Sequence, residues 1–253
     1  MASNGNPHTA REANGSNSVI RGGFKISTTK SPILKAGPIE EMNAKLGITV
    51  PEMIFGNNSV LIQHPATGWS LDFNTFDALD RVDKTGENML QVAHSKEWQS
   101  TRYDISPNDI WLPRGLIGNP RQNQHENIKR VIKPFDWSYS TDYKGTLSDA
   151  GFEMKSSDKS IPLELLKRPD PILFFDDVVL YEDEMADNGI TTFSCKIRVM
   201  PERLLLLARF FMRLDGVLFR LRDTRVYVEF ASGEVIRENV TKEEQYETVR
   251  EVS

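Results

Sequence analysis

The stretch Arg209 to Phe230, RFFMRLDGVLFRLRDTRVYVEF, restricts the fold more than any other part of the chain. Phe210, Met212 and Leu214 alternate with Arg209, Phe211 and Arg213 before an Asp215-Gly216 pair, and Val217, Phe219 and Leu221 alternate with Leu218, Arg220 and Arg222 after it. Side chains of an extended chain point alternately to opposite faces, so period-2 patterning around Asp-Gly predicts an antiparallel hairpin. With the turn centred on Asp215-Gly216, one face is wholly apolar and the other mixes arginine with aliphatic and aromatic residues. Leucine and arginine also favour helices, so PERLLLLARFFMRL keeps a helical alternative open.

The same logic extends along the chain. VVLYEDEMADNGITTFSCKIRVM places Asn188-Gly189 between two strand-like runs, and SVLIQH and WSLDF flank the turn PATG. In AGPIEEMNAKLGITVPEM, Pro38 suits a first helical turn, Ile39, Met42 and Leu46 share a face, and Gly47 ends the element. Asn74 and Asp77 start a short helix over TFDALDRV. The predicted class is α+β, a predominantly antiparallel β-sheet with hairpins and a few short packed helices. Residues 1–21 read as a disordered N-terminal tail, 22–240 as a single domain and 241–253 as a flexible C-terminal tail. Residues 103–130, rich in Pro, Gly, Asn and Gln, read as a long loop or insertion, with Trp111, Leu112, Leu116 and Ile117 docking part of it.

Composition narrows the partner class. Against 31 Lys and Arg stand 36 Asp and Glu, a formal charge of -5, so no global basic field draws the chain to nucleic acid or an anionic membrane. No apolar run approaches the roughly 20 residues that span a bilayer. The first twenty residues lack the charged start and apolar middle of a secretory signal, so export is not expected. The single cysteine, Cys195, forms no internal disulfide and suits a reducing compartment.

Motifs for chemistry are weak. His8, His64, His94 and His125 are scattered, so no zinc pattern assembles locally. GWSLD has Asp72 where a nucleophile elbow needs its second glycine. Cys195 is followed by Pro201 where a cysteine phosphatase needs arginine. An EF-hand register with Gly189 sixth ends on Cys195 in place of the bidentate glutamate. No Walker loop or dinucleotide fingerprint occurs, so no cofactor is expected. The acidic run Asp176, Asp177, Glu182, Asp183, Glu184 and Asp187 supports an alternative, a metal-dependent hydrolase, against the simpler view of a solvated charged face. What stands out is arginine set beside apolar residues from Lys196 to Phe230. That composition recurs at the energetic centres of protein interfaces, although arginine stems also lie over sheets with their heads in water.

Five longer motifs carry a resemblance: PEMIFGNN (Pro51 to Asn58), NTFDALD (Asn74 to Asp80), VIKPFDWSYSTDYKGTL (Val131 to Leu147), KIRVMP (Lys196 to Pro201) and RFFMRLDGVLFRLRDTR (Arg209 to Arg225). In this order they resemble the TIPRL family of TOR signalling pathway regulators, from about Gly22 to Glu229. The resemblance implies a non-catalytic protein of the cytoplasm and nucleus that binds the catalytic subunit of type 2A protein phosphatases. It further implies modulation of TOR signalling, in some lineages through the alpha-four type phosphatase-associated subunit, and a cleft that receives phosphatase surface including its C-terminal tail. By position, Asp77, Ile161, Leu221 and Asp223 match partner-binding residues of the family, with Ile161 expected as an exposed apolar anchor. Arg198, Arg213 and Arg225 are the candidate donors to a carboxylate. Each has a structural rival: Asp77 as a helix cap, Leu221 as core, Asp223 as a turn former. The chain departs from the pattern in its longer segment from about Tyr103 to Glu126 and in Phe24, which stands where some relatives have tryptophan.

Overall fold

The computed structural model describes residues 9–11, 15–84, 137–148 and 155–252. Within them the chain forms twelve strands and four short helices, in two six-stranded antiparallel sheets. The first sheet runs in the order β1 (Thr9–Arg11), β2 (Ser16–Arg21), β3 (Phe24–Thr29), β5 (Ser59–His64), β6 (Trp69–Asn74) and β7 (Thr146–Ser148). The second runs β12 (Val235–Gln245), β11 (Leu218–Glu229), β10 (Arg203–Leu214), β9 (Gly189–Val199), β8 (Phe174–Asp183) and β4 (Met53–Ile54). The α+β class is therefore as predicted, and the run PERLLLLARFFMRL resolves to a strand from Arg203 to Leu214. Ordered structure begins before Gly22, because Ser16–Arg21 pairs with β3, and β12 continues past residue 240. The predicted 103–130 insertion lies outside the described residues.

Local sequence explains the helices. α1 (Ala36–Leu46) turns Ile39, Met42 and Leu46 toward the core, and the Gly47 amide donates to Asn43 O at 2.8 Å. α2 (Thr75–Asp80) is capped by Asn74, whose Oδ1 accepts from the Asp77 amide at 2.9 Å. Asn74 Nδ2 returns a bond to Asp77 Oδ2 at 2.9 Å, a reciprocal arrangement that satisfies helix-start donors. α3 (Leu163–Leu166) is a single turn and α4 (Tyr246–Val252) follows β12.

The predicted hairpins are present, but two turns differ from expectation, with consequences for every side chain beyond them. Leu214 lies opposite Leu218, so the β10–β11 loop holds three residues, with Gly216 at φ 70°. A one-residue change of register moves a strand's whole pattern to the other face. Leu218, Arg220, Arg222 and Thr224 therefore share the inner face with Phe210, Met212 and Leu214, while Phe219 and Leu221 face outward. The expected wholly apolar face does not exist on β11. In the β8–β9 connection positive φ values fall on Met185, Ala186 and Asp187, at 50°, 55° and 61°, and on Gly189 at 152°, but not on Asn188. Asn188 instead ties that left-handed turn together, its Nδ2 donating to Met185 O and Ala186 O at 3.0 and 2.9 Å. Gly189 is required by proximity: a Cβ there would sit 1.9 Å from Arg213 O.

The sheets pack face to face around Phe24, Ile62, Phe73, Tyr181, Phe193, Ile197, Leu206 and Phe210, all buried. Tyr139 and Tyr143 enter this space, and Tyr181 Oη donates to Tyr139 O at 2.9 Å. The β8 edge is stitched to the first sheet. Asp176 accepts from Thr28 Oγ1 and Lys30 Nζ, each at 2.5 Å, and Asn58 Nδ2 donates to Val179 O at 2.7 Å. At the opposite edge, β7 and β12 do not pair.

Candidate functional site

Two regions concentrate unusual side chains. The first is the outer face of the second sheet. Register places Arg209 opposite Asp223, Leu207 opposite Arg225, Phe211 opposite Leu221 and Arg213 opposite Phe219. The Asp223 carboxylate has no exposed side-chain surface, yet it lies beneath two guanidinium groups that are 40% and 37% exposed. Arg209 donates Nε and Nη2 to its two oxygens at 2.7 and 2.9 Å, and Arg225 Nη2 adds a third bond at 3.1 Å. This bidentate geometry fixes the Arg209 fork, and the hydrogen bonds from it to Asp223 push its already high pKa further up. Asp223 is therefore the buried base that aims two arginines outward, and its place within β11 corrects the rival reading of it as a turn former.

Further along this face, Arg213 Nε lies 2.8 Å from Asp215 Oδ1 without the alignment of a hydrogen bond. Arg198 is half-buried, with Nη2 3.4 Å from Leu166 O and Nε buried without a hydrogen-bond partner among the described residues. Ile161 is 4% exposed, contrary to the expected exposed anchor, and its amide donates to Glu238 Oε1 at 2.6 Å. Glu238 stands opposite Arg225, so the segment carrying Ile161 is seated at the edge of this face. Arg203 holds the same segment through Leu165 O at 3.1 Å and Asp170 at 2.6 Å. Leu221, Asp223, Arg225, Arg213, Arg198 and Ile161 thus belong to one region. Asp77 does not. It lies by the first sheet, where Asn74 and Thr146 hold its carboxylate.

The second region is a 610 Å³ cavity where the unpaired edges of the two sheets diverge. Its floor is apolar, from Trp69, Leu71, Leu147 and Val235, and its rim carries Lys155, Ser157, Lys159 and Arg237. Lys159 is taken by Glu234. Arg237 projects from the inner face of β12, half-buried, with no hydrogen-bond or ion-pair partner among the described residues. Burial pulls its pKa below the usual arginine value, the signature of a cation removed from water without a compensating anion. Sequence patterning missed this residue. VIRENV places Arg237 on one face with Val235 and Asn239, but only the diverging sheets show that no described residue pairs with it.

The acidic run does not form a chemical site. Strand alternation sends Asp176 inward and Asp177 outward, the latter to Lys196 at 2.9 Å. Burial would raise the Asp176 carboxyl, but hydrogen bonds from Lys30, Thr28 and Asn17 and the Lys30 charge bring it below the ordinary value. Asp183 is buried at the β8 end, and its carboxylate accepts from the Glu52 and Met185 amides at 2.9 and 2.7 Å. Desolvation lifts it to about 6 despite those bonds. Among the described residues no group of three or more His, Cys, Asp or Glu side chains is placed to hold a metal ion. Cys195 is wholly buried, which pushes its thiol pKa up and removes it as a nucleophile.

A TIP41-like protein of Homo sapiens is 38% identical over 234 residues, covering 91% of this chain and 78% of the human protein. The Type 2A phosphatase activator TIP41 of Saccharomyces cerevisiae is 41% identical over 230 residues, covering 89% of this chain and 62% of the yeast protein, less than two thirds of its length. The Type 2A phosphatase activator tip41 of Schizosaccharomyces pombe is 33% identical over 229 residues, covering 89% of this chain and 81% of that protein. Residues 53–250 match the TIP41-like family, and the chain belongs to that family.

Proposed function

We propose that this chain is a regulatory protein without chemistry of its own that binds the catalytic subunit of a type 2A protein phosphatase. The observation that carries this is the 41% identity to a protein named a type 2A phosphatase activator. The geometry supplies a means. A face bearing Phe211, Leu221 and two guanidiniums held by Asp223 is suited to a folded partner, since arginine beside aromatic residues supplies anchors at interfaces. The cavity suits an extended chain end: apolar residues rest on Trp69 and Leu71, and a terminal carboxylate meets Arg237. The phosphatase C-terminal tail is the segment proposed to enter it. Modulation of TOR signalling, association with the alpha-four type subunit, and residence in cytoplasm and nucleus belong to the same proposal.

The test is binding of purified type 2A catalytic subunit, intact or lacking its last residues, to the full chain. Saturable binding of the intact subunit is expected, weakened about tenfold by tail removal, the loss of one good charged contact. No binding of the intact subunit overturns the proposal. Equal binding of both forms removes the cavity from it.

A further inference from the structure

Residues 155–160 are exposed and take neither helix nor strand as they pass the mouth of the cavity. Ser156 and Ser157 line it, whereas Ser160, three residues on and equally exposed, does not. Ser157 is flanked two residues either side by Lys155 and Lys159, both of which also line the cavity. Its Oγ already accepts the Lys159 amide at 3.1 Å. Arg237, a half-buried guanidinium without a partner among the described residues, lines the same cavity, and the segment is tied on either side of it by Lys159 to Glu234 and by the Ile161 amide to Glu238. The carboxylates nearby are Asp158 and Glu234, and Lys159 already engages Glu234. An accessible serine hydroxyl and a guanidinium with no anion among the described residues therefore line the same cavity.

We propose that Ser157 is a phosphorylation site whose phosphoryl group is received by Arg237 inside the inter-sheet cavity, closing that cavity to an acidic chain end. A protein kinase transfers the γ-phosphoryl group of a nucleoside triphosphate. The bond from Ser157 Oγ to phosphorus forms as the bond to the bridging oxygen breaks, the nucleoside diphosphate leaves, and the hydroxyl proton passes through the kinase's base to solvent. The product carries a charge of about -1.5 to -2 and three strong acceptors. One oxygen keeps the Lys159 amide, and the others take Arg237 in the bidentate fashion that guanidinium favours. The segment is thereby drawn across the mouth. The closure half of this proposal rests on the reading of the cavity as a receptor for the phosphatase tail, whereas the phosphate site does not.

The experiment places phosphoserine at 157, or at 160 as control, by genetic encoding in the full chain, and titrates each by ³¹P NMR. A free seryl phosphate loses its second proton near pH 6, about the middle of the accessible range. Phosphoserine at 157 is expected to titrate lower than at 160, and Arg237→Gln to return it to the control value, with Arg237→Lys keeping part of the shift. Unchanged melting of both variants excludes a misfolded control. Coincident titrations at the two positions overturn the site. A synthetic phosphatase C-terminal tail peptide, followed by fluorescence anisotropy, tests closure: about tenfold weaker binding with phosphoserine at 157 and none of that loss at 160 is expected. A coupled phosphate with undiminished peptide binding overturns closure. A peptide that binds no form of the protein, with the coupled phosphate intact, sinks the tail reading and leaves the phosphate site standing.

Discussion

The inner face of the second sheet has two halves that obey different rules. Across β8, β9 and β10 it carries Val178, Leu180, Cys195, Ile197, Leu206, Phe210 and Met212, all fully buried against the first sheet. Midway along β11 and β12 the same face carries Arg220, Arg222, Thr224, Arg237, Asn239 and Glu243. Some of these polar groups are satisfied: Arg220 donates to Glu243 Oε2 and Ser140 Oγ, each at 2.7 Å, and Thr224 Oγ1 to Asn239 Oδ1 at 3.0 Å. Arg237 is not. The closed half is built for cohesion, and the diverging half keeps a space lined by a half-buried cation with no anion among the described residues, a cost that a purely structural core would not carry.

The largest expected effect lies in the closed half. Phe210→Ala removes a wholly buried ring from a site that cannot collapse fully, and should destabilise the fold by about 3–5 kcal/mol. Denaturant melts check this. A loss under about 1 kcal/mol would mean that the apolar half is no better packed than the polar one.

Next in size is a pH effect carried by two carboxylates of β8 that move in opposite directions. The folded pKa of Asp183 is raised to about 6 by desolvation, so its stabilising contribution is complete below its ordinary value near 3.8 and is lost as pH rises through 6. That of Asp176 is lowered, so its contribution is present above 3.8 and is lost as pH falls below that value. Stability should therefore rise by about 1–3 kcal/mol from pH 7 toward pH 5 and fall again in stronger acid. Asp183→Asn should flatten the upper slope. The slope is the readout, because an amide offers only one acceptor oxygen to the two amides that Asp183 serves. A variant that keeps the full slope would assign it to another group.

How much of this was legible in the sequence follows the range of the interactions. Alternation identifies β5, β6, β9, β10 and β11, and Asn74 announces α2, because those signals are set by neighbours within a few residues. Which face a strand presents depends on loop length, and the third residue of the Asp215–Val217 loop turned Arg220 and Arg222 inward, against the alternation centred on Asp215-Gly216. The left-handed turn at Met185 to Asp187 is equally illegible, since non-glycine residues adopt it only where the surroundings impose it. Ile161 sits among polar neighbours in sequence yet is buried, and the acceptor for its amide, Glu238, is 77 residues away. The outer arginines were visible as composition. That Asp223 lies beneath them as their common base was not.

That base gives the third prediction. Asp223→Ala leaves Arg209 and Arg225 without their shared anion, but both guanidiniums reach water, so the stability loss should be about 1–2 kcal/mol, well short of a fully buried broken pair. Binding of the type 2A catalytic subunit should fall further than this loss of stability accounts for, because two forks lose their orientation. Charge reversal with Asp223→Arg should cost more in both, where an exposed contact residue would lose binding alone. Parallel calorimetry and melts on both variants separate these outcomes.

The smallest effect on stability belongs to Arg237, and it sharpens the contrast between the halves most. A cation held half out of water with no anion among the described residues contributes nothing to cohesion, so Arg237→Leu, which extends the apolar floor of Trp69, Leu71 and Val235, should change stability by less than about 0.5 kcal/mol or raise it slightly. The same variant should bind the phosphatase tail peptide at least about tenfold more weakly, since the carboxylate loses the Arg237 guanidinium. Destabilisation comparable to Phe210→Ala would make Arg237 part of the packing and leave the two halves differing in polarity alone. Stability kept while binding is lost would identify the diverging edge as the place where the fold gives up cohesion to hold a partner.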